Sequence, residues 1–161
     1  MLKKASRRIY GVMPGMKNFA TLNDVFYYAK NHYGSRELFF AKDSQKNFTG
    51  TTFSAAFKDA ENVGLALLQF GLKPGDRVGL MADNRTEWAV ADMAVLLNGA
   101  VDVPRGSDST PQEIQYILEH SESKYCFVEH QKLYDALKPI FPQTKVEKMA
   151  MYFRKKFMGQ R

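Results

Sequence analysis

The feature that most constrains the fold is a repeated alternation of short apolar runs with helix-like segments in the second half of the chain. Runs suited to buried strands occur at residues 77–82, 100–103 and 125–128. A segment with the apolar spacing and end signals of a helix follows each run. Strands that alternate with helices in this way form a mainly parallel sheet with helices on both faces. The sequence therefore predicts an α/β fold.

Further elements are predicted before and within this alternation. Thr21 and Ser54 are placed to cap two helices, and strands at 38–41 and 51–53 flank turn-forming residues, which favours a hairpin between the helices. The strongest helix start is the run Thr110-Pro111-Gln112-Glu113, which combines a capping threonine, a proline at the first helical position and a glutamate at the third.

Length and composition exclude several classes of protein. A chain of 161 residues with 45% hydrophobic residues can bury a core without disulfides. Cys126 is the single cysteine and has no internal partner, which is typical of a reducing compartment. No apolar stretch approaches the ~18 residues of a membrane-spanning helix. We therefore expect a cytoplasmic chain.

The positive charge is concentrated at the two ends of the chain. Residues 1–17 carry five bases and no acids, and residues 145–161 carry six bases and one acid, whereas residues 18–144 carry 12 bases and 16 acids. We therefore predict a basic N-terminal arm over 1–19, a folded domain over 20–147 and a basic tail over 148–161. A mildly acidic centre argues against nucleic-acid binding. The N-terminal arm is either solvated or in peripheral contact with an anionic inner membrane face.

A search for a self-contained active site finds none. The phosphate-loop, dinucleotide and nucleophile-elbow motifs are all missing from the sequence. His32, His120 and His130 are too scattered to bind a metal ion with a single cysteine. Cys126 lies in an apolar strand, where a small buried side chain is expected rather than a nucleophile. No catalytic residue and no metal ligand is predicted.

Two loops have unusual composition. The run Lys73-Pro74-Gly75-Asp76 is explained as a turn that leads into a strand. The loop over 104–109 follows the carboxyl end of a strand, where parallel sheets bind ligands. Arg105 supplies a guanidinium, Gly106 a flexible backbone and Ser107 a hydroxyl, a combination that suits a phosphate group. An ordinary connecting loop is the alternative.

Three segments together resemble a known family. They are TTFSAAFKDAENVGLALLQF, then GLKPGDRVGLMADNRTEWAVADMAVLLNGAVDVP, then TPQEIQYILEHSESKYCFVEH, in that order. They resemble the N-terminal part of the AMP-forming acyl-CoA synthetases, most closely the long-chain fatty-acid–CoA ligases, over about residues 20–147. The run PRGSDS stands where many relatives have a different sequence. Positions that match recurrent family residues, and to which we assign structural roles, are Asp76, Asn84, Trp88, Gly99 and Pro104.

The resemblance implies a partial AMP-binding domain and a two-step reaction. In this family ATP, held with Mg²⁺, is attacked by a fatty-acid carboxylate to give acyl-AMP and pyrophosphate, and CoA then displaces AMP to give acyl-CoA. In some relatives the segment that matches residues 104–117 lies near the nucleotide end of CoA. On that likeness, Arg105, Gly106 and Ser107 are the candidate contacts to a CoA phosphate.

The family's other functional motifs are missing from these 161 residues. The Ser/Thr/Gly-rich phosphate loop, the Thr-Glu magnesium motif, the ribose-binding aspartate and the C-terminal lysine domain all lie downstream in the family. The chain is therefore expected to be an incomplete N-terminal lobe of the adenylate-forming fold, inactive alone and prone to self-association. The alternative is a standalone CoA-binding or scaffolding module without catalysis.

Overall fold

The computed structural model describes residues 19–151. All but one residue of the predicted arm over 1–19 and most of the predicted tail over 148–161 therefore lie outside the described residues. The elements, in chain order, are α1 (Leu22–Tyr33), β1 (Glu37–Lys42), β2 (Phe48–Thr52), α2 (Phe53–Gln69), β3 (Arg77–Met81), α3 (Thr86–Leu97), β4 (Val101–Arg105), α4 (Pro111–His120), β5 (Tyr125–Val128), α5 (Gln131–Leu137), a 3₁₀ turn (Phe141–Gln143) and β6 (Lys148–Met151).

A four-stranded parallel sheet organises the described residues. Its strand order is β4-β3-β5-β6, and every neighbouring pair is parallel. Strands β1 and β2 form a separate antiparallel hairpin. The predicted α/β fold with a mainly parallel sheet is confirmed. Strand β6 belongs to the sheet, which therefore extends past residue 147, the predicted end of the folded domain.

Helices cover the sheet on both faces. Helices α2 and α3 contribute Leu67, Ala91 and Val95 to the core on one face. Helices α4 and α5 contribute their apolar residues, among them Ile114 and Leu133, to the core on the other face. Each strand contributes side chains to both cores, because successive side chains of a strand point to opposite faces of the sheet. None of the helices in residues 19–151 is long and apolar enough to span a membrane.

Two of the predicted helix starts are confirmed by their hydrogen bonds. The Thr21 Oγ1 atom accepts the Asp24 N–H at 3.2 Å, and the Asp24 carboxylate accepts the Thr21 N–H at 2.9 Å. Thr110 and Glu113 form the same reciprocal pair at the start of α4. Each arrangement satisfies N–H groups that the first turn of a helix leaves without an intrahelical partner.

Helix α2 begins earlier than the sequence predicts. Its cap is Thr52, whose Oγ1 accepts the Ala55 N–H at 3.2 Å, and not Ser54. The reason is that β2 ends at Thr52 and the next residue is already helical. The threonine therefore serves both as the last residue of a strand, where β-branched residues pack well, and as a helix cap.

The turn over residues 73–76 depends on a buried carboxylate. Asp76 is 7% exposed; its Oδ2 accepts the Lys73 N–H at 3.0 Å and its Oδ1 accepts the Lys124 ammonium at 2.6 Å. These bonds, the one from Lys124 above all, hold the pKa of Asp76 below its usual value. Gly75 and Gly99 both have positive φ and are joined by a backbone hydrogen bond. Asp76 and Gly99 thus have the structural roles assigned to them.

Replacing Asp76 tests this turn. We expect Asp76→Ala to lower the free energy of unfolding by about 2 kcal/mol, because the Lys73 N–H and the Lys124 ammonium lose their partner. Urea unfolding of the 161-residue chain measures the change. Asp59→Ala removes an exposed carboxylate from α2 and serves as the matched control. Equal stability of the two variants would contradict the role assigned to Asp76.

Candidate functional site

The loops that follow β3, β4 and β5 meet at the carboxyl edge of the sheet. The Asp83 N–H donates to Glu129 Oε2 at 2.9 Å, and the Ser107 N–H donates to Asp83 Oδ1 at 3.0 Å. Three loops that are distant in sequence are therefore joined by two carboxylates. This edge is the place where open α/β sheets bind ligands, and we take it as the candidate functional site.

Asp83 is the residue that holds the loop after β4. Hydrogen bonds from the Ser107 backbone and side chain keep the pKa of Asp83 below its usual value, and the nearby His130 adds to this. A Cβ at Gly106 would lie 2.7 Å from Asp108 Oδ1 and 3.8 Å from Asp83 Oδ1. A side chain at position 106 would therefore need the Asp108 carboxylate to move, whereas its distance to Asp83 is an ordinary contact.

The structure brings the three predicted contact residues together at this edge. Arg105 ends β4, is exposed, and accepts the Ala82 N–H through its carbonyl at 3.0 Å. Gly106 and Ser107 are half-buried, and the Ser107 N–H is already bonded to Asp83. Arg105 therefore carries the exposed cation of the loop. The contact of these residues with a CoA phosphate stays a prediction.

The surroundings of Arg105 are rich in carboxylates. The pKa of Glu113 is lowered mainly by its cap bonds with Thr110 and also by the charge of Arg105. The second cation of the edge, Arg85, is engaged with Glu87 at 2.9 and 3.1 Å and with Glu129 at 3.3 Å. An anionic ligand at this edge would therefore meet repulsion from acids as well as attraction from Arg105.

Ser109 belongs to the predicted loop over 104–109, but its burial was not predicted from the sequence. Its side chain is 8% exposed, and its Oγ has no hydrogen-bond partner among the described residues. It directly precedes Thr110, the cap of α4, whose N-terminal end carries a partial positive charge. A buried hydroxyl without a partner is uncommon, because an unsatisfied buried polar group costs about 1–3 kcal/mol.

A pair of carboxyl groups lies between α3 and β4. Asp92 on the helix hydrogen-bonds Asp102 on the strand, and partial burial together with the Asp102 carboxylate raises the pKa of Asp92 to about 6. The sequence does not predict this acid pair, because the two residues become neighbours only when α3 packs on the sheet. Asp102 is the second residue of β4, far from the carboxyl edge, so the pair does not belong to the candidate site.

No metal centre or activated nucleophile is found among residues 19–151. No three His, Cys, Asp or Glu side chains converge as a metal site within that range. Cys126 is buried, and this burial raises the pKa of its thiol to about 12, so the thiolate is not formed near neutral pH. His130 caps α5 by accepting the Leu133 N–H at 3.0 Å.

The sequence of the chain matches a known protein family. A model of the family described as AMP-binding enzyme matches residues 27–158, which is most of the chain. The chain therefore belongs to the AMP-binding enzyme family. The resemblance predicted from the three sequence segments is confirmed.

Individual relatives point to the fatty acyl-CoA synthetases within the family. The chain is 32% identical over 143 residues to fatty acyl-CoA synthetase A of Dictyostelium discoideum, covering 86% of this chain and 21% of that protein. It is 34% identical over 82 residues to a long-chain-fatty-acid–CoA ligase of Mycobacterium tuberculosis, covering 51% of this chain and 14% of that protein. The chain thus spans about a fifth or less of the length of these relatives.

Solved structures of adenylate-forming CoA ligases share the fold. An anthranilate CoA ligase in complex with anthranoyl-AMP superposes with a TM-score of 0.73 at 22% identity, over 83% of this chain and 25% of that one. A long-chain-fatty-acid–CoA ligase of Archaeoglobus fulgidus superposes with a TM-score of 0.71 at 22% identity, over 80% of this chain and 26% of that one. At such identities the likeness shows the fold alone. It confirms the predicted α/β lobe.

The raised pKa of Asp92 predicts how stability changes with pH. Its pKa is about 6 in the folded chain against 3.8 for a free aspartate, so the folded state holds a proton that the unfolded state has lost. The contribution of this group is therefore complete below about pH 4 and is lost as the pH rises through about 6. We expect Asp92→Asn to remove this dependence and to raise the free energy of unfolding at pH 7.5 by about 1 kcal/mol.

Urea unfolding at pH 4.5 and pH 7.5 measures this effect. Asp59→Asn, which changes an exposed carboxyl on α2, controls for the loss of one negative charge. The difference in stability between the two pH values should shrink in Asp92→Asn and stay as in the wild type in Asp59→Asn. An unchanged difference in both variants would show that Asp92 and Asp102 do not share a proton.

Proposed function

We propose that the chain provides the N-terminal lobe of a long-chain fatty-acid–CoA ligase, which converts ATP, a fatty acid and CoA into acyl-CoA, AMP and pyrophosphate through acyl-AMP. The observation that carries this proposal is the 32% identity to the Dictyostelium fatty acyl-CoA synthetase across 86% of the chain. The fold of the described residues, shared with CoA ligases of several substrates, supports the reaction class.

The first step of the proposed reaction activates the fatty acid. A carboxylate becomes an acyl donor only when its oxygen can leave as part of a phosphoric anhydride, and the charge on the ATP phosphates must be neutralised and positioned. A related O-succinylbenzoate CoA synthetase of Bacillus subtilis was solved with ATP and a magnesium ion. We propose that the lobe is inactive in isolation, since the chain spans 21% of the length of the Dictyostelium relative.

The second step is the one to which the lobe contributes in this proposal. Arg105 is an exposed cation at the carboxyl edge, in the loop that leads to the N-terminus of α4. Phosphates bind at such helix ends because backbone N–H groups and the helix dipole favour negative charge. In this proposal Arg105 contacts a CoA phosphate, Gly106 lets the backbone approach it and Ser107 supports the loop.

A second candidate function is a standalone CoA-binding or scaffolding module. The observation that favours it is that both faces of the central strands are covered by the chain's own helices. Such a module would bind CoA or a protein partner without the other substrates. In either case we propose a cytoplasmic chain, with peripheral membrane contact through the basic residues near the N-terminus and self-association through the open edge of the sheet.

An activity assay tests the proposal that the lobe is inactive in isolation. We expect the 161-residue chain with ATP, Mg²⁺, palmitate and CoA to release no pyrophosphate and to form no palmitoyl-CoA above background. The Dictyostelium relative, assayed under the same conditions, is the positive control. Formation of palmitoyl-AMP by the isolated chain would overturn the proposal that the lobe is inactive alone.

The CoA contact is tested by titration calorimetry on the same chain. We expect Arg105→Ala to weaken CoA binding about tenfold, because one charge-assisted hydrogen bond is lost. Lys132→Ala, an exposed lysine on α5, is the control and should bind CoA as the wild type does. Pantetheine lacks the phosphates and should be insensitive to Arg105→Ala. Equal CoA affinity of the wild type and Arg105→Ala would remove Arg105 from the site.

A further inference from the structure

The hairpin of β1 and β2 presents two phenylalanine side chains to solvent. Phe40 on β1 is 61% exposed, and Phe48 on β2 is 69% exposed. Every residue from 40 to 50 is exposed, so this part of the hairpin protrudes from the folded domain. Neighbouring large apolar side chains on a surface mark a place of interaction, because their contact with water is unfavourable.

The strand register places the two rings on the same face of the hairpin. Phe40 lies opposite Gly50, and Lys42 lies opposite Phe48. Alternate residues of one strand share a face, and so do residues directly opposite each other on paired strands. The two phenylalanines are therefore diagonal neighbours, roughly 7–8 Å apart. Gly50 has no side chain that could cover Phe40 from the other strand.

The other face of the hairpin attaches it to the domain. Phe39 packs against the core that includes Phe57 of α2 and Val90 of α3. Since successive side chains of a strand point to opposite faces, the side chain of Phe40 points away from this core. The face with Phe40 and Phe48 is thus the outer face of the hairpin, and a partner can reach it without any change in the fold.

Two lysines accompany the phenylalanines. The Lys42 ammonium lies 5.2 Å from the centre of the Phe48 ring, and Lys46 is exposed in the turn between the strands. The ion pairs found in residues 19–151 include neither lysine. Their positive charges are therefore available to an anionic surface that meets the turn end of the hairpin.

The two acids of the hairpin leave this positive charge largely uncompensated. The Asp43 carboxylate accepts the Gln45 and Asn47 N–H groups at 2.8 and 2.9 Å, and these bonds partly compensate its negative charge within the turn. The Glu37 carboxylate lies against Gly50, at the end of the hairpin away from the turn. The turn end therefore combines aromatic rings with positive charge.

We propose that the outer face of the hairpin inserts into the surface of an anionic lipid bilayer, with Phe40 and Phe48 at the level of the upper acyl chains and Lys42 and Lys46 at the lipid phosphates. Aromatic side chains are favoured at this level of a membrane, and each lysine near an anionic surface is attracted to it. A bilayer deforms around a protruding hairpin, whereas a protein partner would need a matching cavity. The proposal goes beyond the peripheral contact through the N-terminal basic residues, because it assigns the apolar part of the contact to the hairpin.

Sedimentation of the 161-residue chain with vesicles tests the proposal. We expect binding to vesicles of equimolar phosphatidylserine and phosphatidylcholine. Phe40→Ser and Phe48→Ser should each lower the partition coefficient about tenfold. Lys42→Gln should lower it about fivefold on these vesicles and leave it unchanged on phosphatidylcholine alone. Tyr116→Ser, which removes a 65% exposed aromatic side chain from α4, is the matched control and should bind as the wild type does.

A tryptophan at position 48 measures insertion directly. Phe48→Trp should bind vesicles as the wild type does, and brominated phosphatidylcholine should quench its additional fluorescence. Tyr116→Trp, compared with the wild type in the same way, should show no additional quenching.

Three results would each overturn the insertion of the hairpin. The first is wild-type binding by both Phe40→Ser and Phe48→Ser, which would assign the contact to basic residues elsewhere and leave the peripheral contact of the proposed function in place. The second is a wild-type chain that sediments with neither kind of vesicle. The third is a dimer without vesicles that becomes monomeric in Phe48→Ser, which would show that a second copy covers this face.

Discussion

The pairing of β3 with β5 is the interaction on which the rest of the structure depends. These are the inner strands of the sheet, and nearly all of their side chains are buried. Gly79 lies opposite Cys126 in this pair, and a Cβ at Gly79 would come within 2.7 Å of Leu118 Cδ2. The missing side chain lets α4 pack directly on the inner strands. The hydrophobic cores on the two faces of the sheet are therefore separated only by the backbone of the inner strands.

The register of the inner strands also builds the candidate site. Met81 is level with Arg105 of β4 and with Val128 of β5, so three strands end at the same height. The next residues of each loop then fall within hydrogen-bond reach of one another, which is why Asp83 can join Ser107 and Glu129. The hydrogen bonds between the three loops are thus a consequence of strand register. In a sheet with two buried faces, the apolar pattern of the sequence strongly specifies that register.

Local signals in the sequence were sufficient for most of the fold. The strand at Tyr125–Val128 and the α4 start at Thr110 depend on adjacent residues, and both were predicted at the observed positions. The Asp92–Asp102 contact was not predictable, because it is formed by elements that meet only after packing. The capping role of Thr52 was not predicted for another reason. Threonine is favoured both in strands and at helix caps, and the sequence alone does not show which of the two roles it has here.

The distribution of charge governs how a ligand would bind at the carboxyl edge. Most carboxylates there already accept hydrogen bonds from backbone N–H groups or from Arg85, so their charge is partly compensated before a ligand arrives. Arg105 acts in a polar, exposed setting, where a single charge contact is weakened by solvent and salt. Binding of an anion at Arg105 should therefore depend strongly on ionic strength.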